Sequence, residues 1–170
     1  MKRLNFEFKA ILRNENIIRD VLKRMRARRV GTDHQIDTYF RVPQGRLKVR
    51  EGKIENALVF YVRSNSARAR RAKIEMTLLP RRNHLKAVLA KALGTEVVVD
   101  KRREIYFVGN VKIHLDRVRG LGRFVEVEAV SHSGKLAQAR QQALKFQKLF
   151  EIKRADIVGQ SYSDLKELSH

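Results

Sequence analysis

Charged side chains recur at alternate positions along several short segments, and their types suit the binding of phosphate and divalent metal. A spacing of two residues occurs in two pairs of bases and one pair of acids: Lys48 and Arg50, Lys101 and Arg103, Glu126 and Glu128. Lys and Arg bind phosphate oxygens, whereas carboxylates that share a cation with substrate phosphates suit Mg²⁺ or Mn²⁺. If these pairs face one another, they could hold a metal and a triphosphate together.

The elements that must position these residues are predicted to be β-strands, because a period of two gives a strand two unlike faces. Eight segments are predicted as strands: Leu4–Leu12, Gln35–Val42, Arg46–Glu51, Ala57–Arg63, Arg71–Leu79, Val97–Val108, Val111–Val118 and Phe124–Val130. Three amphipathic helices are predicted, after the cap at Asn14, over Asn83–Leu93 and from Ser133. The fold class is therefore α+β, as one domain over residues 1–170.

The predicted strands have charged faces that either contact water or enclose a lumen. In most antiparallel sheets the polar face is simply solvated. Here the helices could cover the apolar faces, and a sheet that closes into an eight-stranded antiparallel β-barrel would place the charges inside. A ring of Lys and Arg there would repel itself unless a polyanion filled it. Four acids at such a wall would be oxygen ligands for a hard cation: Glu7, Asp116, Glu126 and Glu128.

The composition indicates an anionic partner. The chain has 170 residues, with 38 Lys and Arg against 18 Asp and Glu and a formal charge of +20. The absence of Cys excludes disulfides and thiolate zinc sites, and no apolar run approaches the roughly 18 residues of a membrane span. We expect a soluble, cytoplasmic protein without a membrane partner, and a homodimer is left open.

Five motifs follow one another along the chain: NFEFKA at Asn5–Ala10, QIDTYF at Gln35–Phe40, RLKVRE at Arg46–Glu51, the long block Lys101–Ala129, and SYSDL at Ser161–Leu165. In this order they resemble the CYTH domains, the superfamily of class IV adenylyl cyclases and thiamine triphosphatases, also called triphosphate tunnel metalloenzymes. NFEFKA is similar to the ExExK element that opens these domains. The long block and SYSDL are most similar to the class IV adenylyl cyclases.

This resemblance implies a tunnel of eight antiparallel strands with charged side chains pointing inward, and it implies roles for single residues. Metal binding is implied for Glu7, Glu126 and Glu128, and catalysis for Glu7, Lys9, Asp116 and Glu126. Triphosphate binding is implied for Lys9, Lys48, Arg50, Arg63, Lys73, Lys101 and Arg103. Asp116 either ligates the metal or holds a nearby base, and Lys73 falls on a more variable strand. Asn5 replaces the first Glu of ExExK, so the implied metal site lacks one charge.

The function predicted on these grounds is Mg²⁺- or Mn²⁺-dependent conversion of ATP to cyclic AMP and pyrophosphate. The first alternative is a triphosphatase that hydrolyses inorganic tripolyphosphate, thiamine triphosphate or a nucleoside triphosphate. The second is a non-catalytic binder of triphosphates or nucleic acid, which the neutral Asn5 favours. The basic runs Lys23–Arg29 and Arg68–Arg71 could bind nucleic acid as a secondary partner, although such runs are more often solvated.

Overall fold

Eight strands and four α-helices make up the described part of the chain. The computed structural model describes the backbone of residues 2–63, 70–131 and 136–168, and the side chains of residues 5–62, 73–131 and 136–168. The strands are β1 Lys2–Ile11, β2 Arg28–Phe40, β3 Arg46–Glu51, β4 Ala57–Arg63, β5 Arg70–Leu78, β6 Thr95–Val108, β7 Val111–Val118 and β8 Gly122–Ser131. The helices are α1 Glu15–Arg24, α2 Leu85–Leu93, α3 Leu136–Leu149 and α4 Tyr162–Glu167, and a 3₁₀ turn covers Arg154–Asp156.

The strands form a closed antiparallel barrel in the order β1-β5-β4-β3-β2-β6-β7-β8. β1 closes it, because β1 pairs with β5 along one edge and with β8 along the other. The predicted eight-stranded barrel with flanking helices is thus confirmed. The predicted second strand is longer than its sequence pattern indicated, since β2 begins at Arg28 and continues through a register shift between Arg29 and Gly31.

The main hydrophobic core lies outside the barrel, between its outer face and two helices. On β1 the apolar Phe6 and Phe8 point outward, since the alternate residues Asn5, Glu7 and Lys9 point into the lumen. α1 and α3 cover this outer face, and the members of the core that they contribute are Ile18, Val21, Leu22, Ala139, Ala143 and Phe146. The charged lumen is therefore possible because the apolar burial that stabilises the fold takes place on the other side of the sheet.

Local sequence signals explain where α1 begins. The side chain of Asn14 accepts a hydrogen bond from the backbone N–H of Ile17, which satisfies one of the free donors of the first turn. Glu15 in the first turn and Lys23 and Arg24 in the last turn complement the helix dipole. The predicted first helix and its cap are confirmed. The predicted start of the third helix at Ser133 lies outside the described residues.

The second predicted helix is present but does not cover the sheet. α2 lies against β2, and none of its residues is buried. Val88, which was expected on a core-facing side, is 57% exposed. The expectation that three helices cover the apolar sheet face is therefore corrected to two. None of the helices in the described ranges is both long and apolar enough to span a membrane.

The segment after α3 returns to the barrel and reaches the lumen. The backbone N–H of Val158 donates to the carbonyl of Lys9 over 2.8 Å, and Ile157 forms a bridge with Ala10. Ser161 then caps α4 through a reciprocal pair of hydrogen bonds with Asp164. Arg46 binds the same Asp164 over 2.7 Å, so β3 fixes the position of α4.

Candidate active site in the barrel lumen

The lumen contains a cavity of about 320 Å³ whose wall has two chemically different parts. Charged side chains from β1, β3, β6, β7 and β8 form one part. Val59 and Tyr61 of β4 with Ile74 and Met76 of β5 form the other. The side chains of Ser161 and Tyr162 also line the cavity, so the start of α4 contributes to the same site.

Three of the lumen bases share one buried carboxylate, that of Asp37 on β2. Lys48 and Lys101 donate to its Oδ2 over 2.7 and 2.6 Å. Arg50 donates to both oxygens, over 2.8 and 3.0 Å. Burial by itself would raise the pKa of Asp37, but the three cations hold this pKa well below its usual range. Asp37 is therefore an anion at neutral pH, and it orients three bases toward the cavity.

A second cluster is centred on Arg103 of β6. Its guanidinium donates to Asp116 over 2.7 and 2.5 Å and to Glu126 over 2.7 Å. The hydroxyl of Tyr162 donates to the same Asp116 over 2.7 Å. Lys9 lies over the ring of Tyr162, 3.8 Å from its centroid. Asp116 was expected either to ligate a metal or to hold a nearby base. It binds Arg103 and does not line the cavity, which agrees with the second role.

A third cluster brings Glu55 into the lumen from the β3–β4 connection. Asp33 accepts hydrogen bonds from the backbone N–H groups of Lys53, Ile54 and Glu55, which fixes this turn. The carboxylate of Glu55 then binds Arg50 over 2.8 Å and also binds Lys112. Burial opposes the charge of Glu55, yet Arg50 and Lys112 keep its pKa well below the usual value. Glu55 thus forms ion pairs with two bases that face the cavity.

Acids and one imidazole form a group with the spacing of a metal site. The ligand atoms of His114, Glu126 and Glu128 lie within 4.8 Å of one another. Burial lowers the pKa of His114 to about 4, so its ring is neutral at pH 7. Burial raises the pKa of Glu128 to about 7; Glu126 and Glu7 add to this, while Lys112 opposes it. Glu7 faces Glu128 directly across the β1–β8 pair, and a cation there would relieve the repulsion.

Most of the residues expected from the sequence converge on the cavity. Those that line it are Glu7, Lys9, Lys48, Arg50, Lys101, Arg103, Glu126 and Glu128. Asn5 also lines it, and its buried Oδ1 has no hydrogen-bond partner among the described residues. The side chain of Arg63 and the basic run Arg68–Arg71 lie outside the residues whose side chains are described.

The expectation for the fifth strand is corrected. Lys73 is exposed and does not line the cavity, whereas its neighbour Ile74 and the next alternate residue Met76 do. The reason is the alternation itself, which places the other residues of β5 on the inner face. Lys73 is therefore removed from the expected triphosphate-binding set.

The repulsion expected within a ring of bases is offset by acids of the protein itself. Six bases line the cavity together with four carboxylates, and Asp37 and Asp116 bind these bases from behind. Asp37, Glu55 and Tyr162 had no role assigned from the sequence. The polar alternation of β2, in which Asp33, Gln35 and Asp37 are all buried, carried a signal for Asp37. Glu55 lies in a turn and Tyr162 in a distant helix, so no strand pattern pointed to either.

A closed antiparallel barrel with ion-paired charges inside and its apolar core outside defines the class to which this chain belongs. The CYTH domain family model matches residues 3–162, and the chain therefore belongs to the CYTH family. No curated protein matches the sequence. The family includes adenylyl cyclase-like proteins and triphosphatases, and its triphosphate tunnel enzymes are metal-dependent.

Solved structures with the same fold come from distant organisms. The PH1012 protein from Pyrococcus horikoshii has a TM-score of 0.80 at 21% identity, with 95% of this chain and 98% of that chain covered. A candidate adenylate cyclase from Vibrio parahaemolyticus has a TM-score of 0.76 at 22% identity, with 97% and 98% covered. A candidate adenylyl cyclase from Hippeastrum, described with a dominant triphosphatase activity, has a TM-score of 0.65 at 10% identity, with 98% and 96% covered. These similarities concern the fold.

Proposed function

We propose that this protein is a metal-dependent enzyme that binds an organic triphosphate in its lumen and converts ATP to cyclic AMP and pyrophosphate. The observation that carries the proposal is the division of the lumen wall. The charged part can hold a triphosphate with a cation, and the apolar part around Val59, Ile74 and Met76 can contact a nucleoside. The similarity of SYSDL to the class IV adenylyl cyclases supports cyclisation as the reaction.

The bases would bind the triphosphate by exchanging their present partners. Arg50 and Lys112 both bind Glu55, and a phosphate group could replace this carboxylate at both bases. Arg103 keeps Asp116 behind it, so its guanidinium stays oriented while it contacts substrate. Such preorganised cations stabilise charge that develops on phosphate oxygens during the reaction.

The donor atoms fit a hard cation such as Mg²⁺ or Mn²⁺. The buried Oδ1 of Asn5 accepts no hydrogen bond from any residue that the structure describes, and carboxylates of β1 and β8 face each other nearby. The residues that would hold the ion are Glu7, Glu126 and Glu128, with the amide oxygen of Asn5 beside them. When bound, the ion neutralises charge on the phosphate oxygens.

The bonds exchanged in cyclisation are those of an internal phosphoryl transfer. The ribose 3′-oxygen bonds to the α-phosphorus and loses its proton, while the bond from the α-phosphorus to the bridging oxygen breaks and pyrophosphate leaves. In hydrolysis, a water oxygen bonds to the terminal phosphorus and loses a proton, while the bond from that phosphorus to its bridging oxygen breaks and the diphosphate, ADP in the case of ATP, leaves. Both reactions use the same bases, and the register of the bound triphosphate selects between them.

Hydrolysis is the second proposed function, and the size of the cavity favours it. A volume of about 320 Å³ is at the lower end of the range of about 300–1,000 Å³ for small-molecule sites. A compact substrate such as inorganic tripolyphosphate therefore also fits. The Hippeastrum protein, described with a dominant triphosphatase activity, adds support for this second reaction.

A product assay tests both reactions. Purified protein is incubated with ATP or tripolyphosphate and with Mg²⁺ or Mn²⁺, and the products are separated by chromatography. Cyclic AMP with pyrophosphate supports cyclisation, whereas ADP or diphosphate with phosphate supports hydrolysis. If no triphosphate is converted although tripolyphosphate raises the melting temperature, the enzyme proposal fails and a triphosphate-binding protein replaces it.

A further inference from the structure

Three arginines form a row on the outer face of the barrel. Arg102 of β6 pairs with Arg117 of β7, which in turn pairs with Arg123 of β8. Directly paired residues point to the same side of a sheet, and the side is the outer one because Arg103 lines the lumen. All three are exposed. With strands about 4.8 Å apart, this arginine row (Arg102, Arg117 and Arg123) is about 10 Å long.

The row is unfavourable for the isolated protein. Like charges directly opposite each other destabilise a sheet. Among the described residues, neither Arg102 nor Arg117 has a carboxylate in ion-pair distance, whereas Arg123 binds Glu15 over 2.9 Å. An anion that contacted both guanidinium groups would remove this repulsion.

A shallow groove of about 200 Å³ runs along the row, and its carboxylates are already bound. Besides the buried Asp116, the groove has two acidic residues, the partly exposed Glu15 and Glu104. Arg19 binds both of them, with 2.7 Å to Glu104, and Arg29 lies 3.9 Å from Glu104. Three arginines thus bind these two carboxylates, and Arg102 and Arg117 add two further positive charges, so the groove attracts anions.

We propose that the arginine row binds the phosphate backbone of duplex nucleic acid. The planar guanidinium group binds phosphate through two parallel hydrogen bonds. The phosphates of one strand are spaced by about 3.4 Å along the duplex axis, so a row about 10 Å long can contact more than one of them. The formal charge of +20 adds long-range attraction for such a polyanion.

The surface chemistry favours a duplex over other polyanions. All 12 Phe and Tyr residues lie in the described ranges, and none of them is exposed, so no platform exists for the stacking of unpaired bases. The leucines of the groove, Leu12 and Leu115, are buried and cannot enter a lipid surface. Contact with the phosphates alone gives binding that does not depend on sequence.

The salt dependence of duplex binding tests the proposal. A labelled short DNA duplex is titrated with protein by fluorescence anisotropy from about 50 to about 200 mM salt. We expect the double variant Arg102→Gln/Arg117→Gln to reduce the slope of log K against log salt by about 1.8, which is about 0.9 for each lost phosphate contact. The melting temperature of the variant should be unchanged or raised, since a like-charge pair is removed.

The matched control is Arg140→Gln/Lys145→Gln, which removes the same charge from exposed positions on α3. This part of α3 lies near the β6–β7 turn, where Gln142 binds Asn110, at the other end of β7 from Arg117. The control and the lumen variant Lys48→Ala should keep the wild-type slope. Equal slope losses in the two double variants would overturn the proposal in favour of diffuse attraction. Unchanged duplex binding with lost binding to phosphatidylserine vesicles would overturn it in favour of a membrane.

Discussion

The two faces of the barrel wall carry charge in opposite ways. Among the described residues, six bases and six acids lie in or beside the lumen, and Asp37 alone binds three of the bases. Outside, Arg102 and Arg117 are directly opposed without a carboxylate among the described residues to separate them. Within the part of the chain that the structure describes, the formal charges of the lumen therefore balance, whereas those of the arginine row do not.

Ion pairing, and not net charge, therefore determines how each face binds an anion. An anion that enters the lumen must exchange with carboxylates such as Glu55, so only a ligand with several charges in the right places can compete. An anion at the outer face meets Arg102 and Arg117, which are exposed to water. Their attraction for the anion is weak, and salt screens it. The lumen is accordingly suited to selective binding and the arginine row to unselective binding.

The largest expected effect comes from removing the anion that balances the lumen. Asp37→Ala leaves Lys48, Arg50 and Lys101 buried without their shared partner, and we expect a loss of about 3–5 kcal/mol in the free energy of unfolding, measured with urea. The matched exterior change, Asp156→Ala, breaks the exposed pair with Arg13 and should cost about 1 kcal/mol or less.

A triphosphate should partly replace the missing carboxylate of Asp37. Tripolyphosphate is therefore expected to raise the melting temperature of Asp37→Ala more than that of the wild-type protein. Equal stability losses for the Asp37 and Asp156 variants would remove the distinction between the inside and the outside of the barrel.

The second largest effect is expected on the rate of triphosphate conversion. Glu126→Gln keeps the side-chain volume but removes a charge that faces both Arg103 and the candidate metal group. We expect the rate of triphosphate conversion to fall at least ~100-fold, with triphosphate binding affected less. Glu104→Gln, which removes an exterior carboxylate bound to Arg19, should leave the rate unchanged. A rate for Glu126→Gln equal to that of wild type would remove Glu126 from the metal site.

The stability of the metal-free protein should depend on pH through two opposing groups. Glu128 has a pKa of about 7 in the folded protein and 4.5 in the unfolded chain. Its contribution to the free energy of unfolding is therefore fully present below pH 4.5 and is lost as the pH rises toward 7. The lowered pKa of His114, about 4 against 6.5, means that stability rises between about pH 4 and 6.5. The two effects largely cancel over the shared range.

Glu128→Gln separates these effects. In the presence of a chelator, the variant should be more stable than wild type at pH 7 by on the order of 2 kcal/mol. Above about pH 5.5, where Asp37 and Glu55 are ionised in both the folded and the unfolded state, its free energy of unfolding should rise up to about pH 6.5, whereas that of wild type stays nearly flat. A flat profile in the variant would show that His114 is not held neutral by burial.

The smallest expected effect restores the acid that the family motif has at position 5. Asn5→Glu adds a carboxylate to the wall beside Glu7, so the metal-free variant should lose stability above neutral pH. Mn²⁺ should bind several-fold more tightly, measured by calorimetry, and should restore the melting temperature. Unchanged affinity for Mn²⁺ would show that position 5 does not contact the metal.

The sequence predicted the strands well because alternation reports which side of a strand is polar. Alternation does not predict which charged residues form ion pairs, because a carboxylate on β2 meets bases from β3 and β6 only after the barrel closes. Lys73 shows a second limit. The polar residues of its strand lie on one face, and Ile74 and Met76 lie on the other. The pairing with β4 decides which of these faces points inward.

What the sequence determined by itself was the local periodicity, the cap of α1, the family motifs and the total charge. Tertiary structure alone decided which bases and acids became neighbours, that Glu55 and Tyr162 enter the lumen, and that Arg102, Arg117 and Arg123 form a row. The physical reason is that periodicity is fixed by neighbouring residues, whereas electrostatic balance depends on distances between segments far apart in the chain.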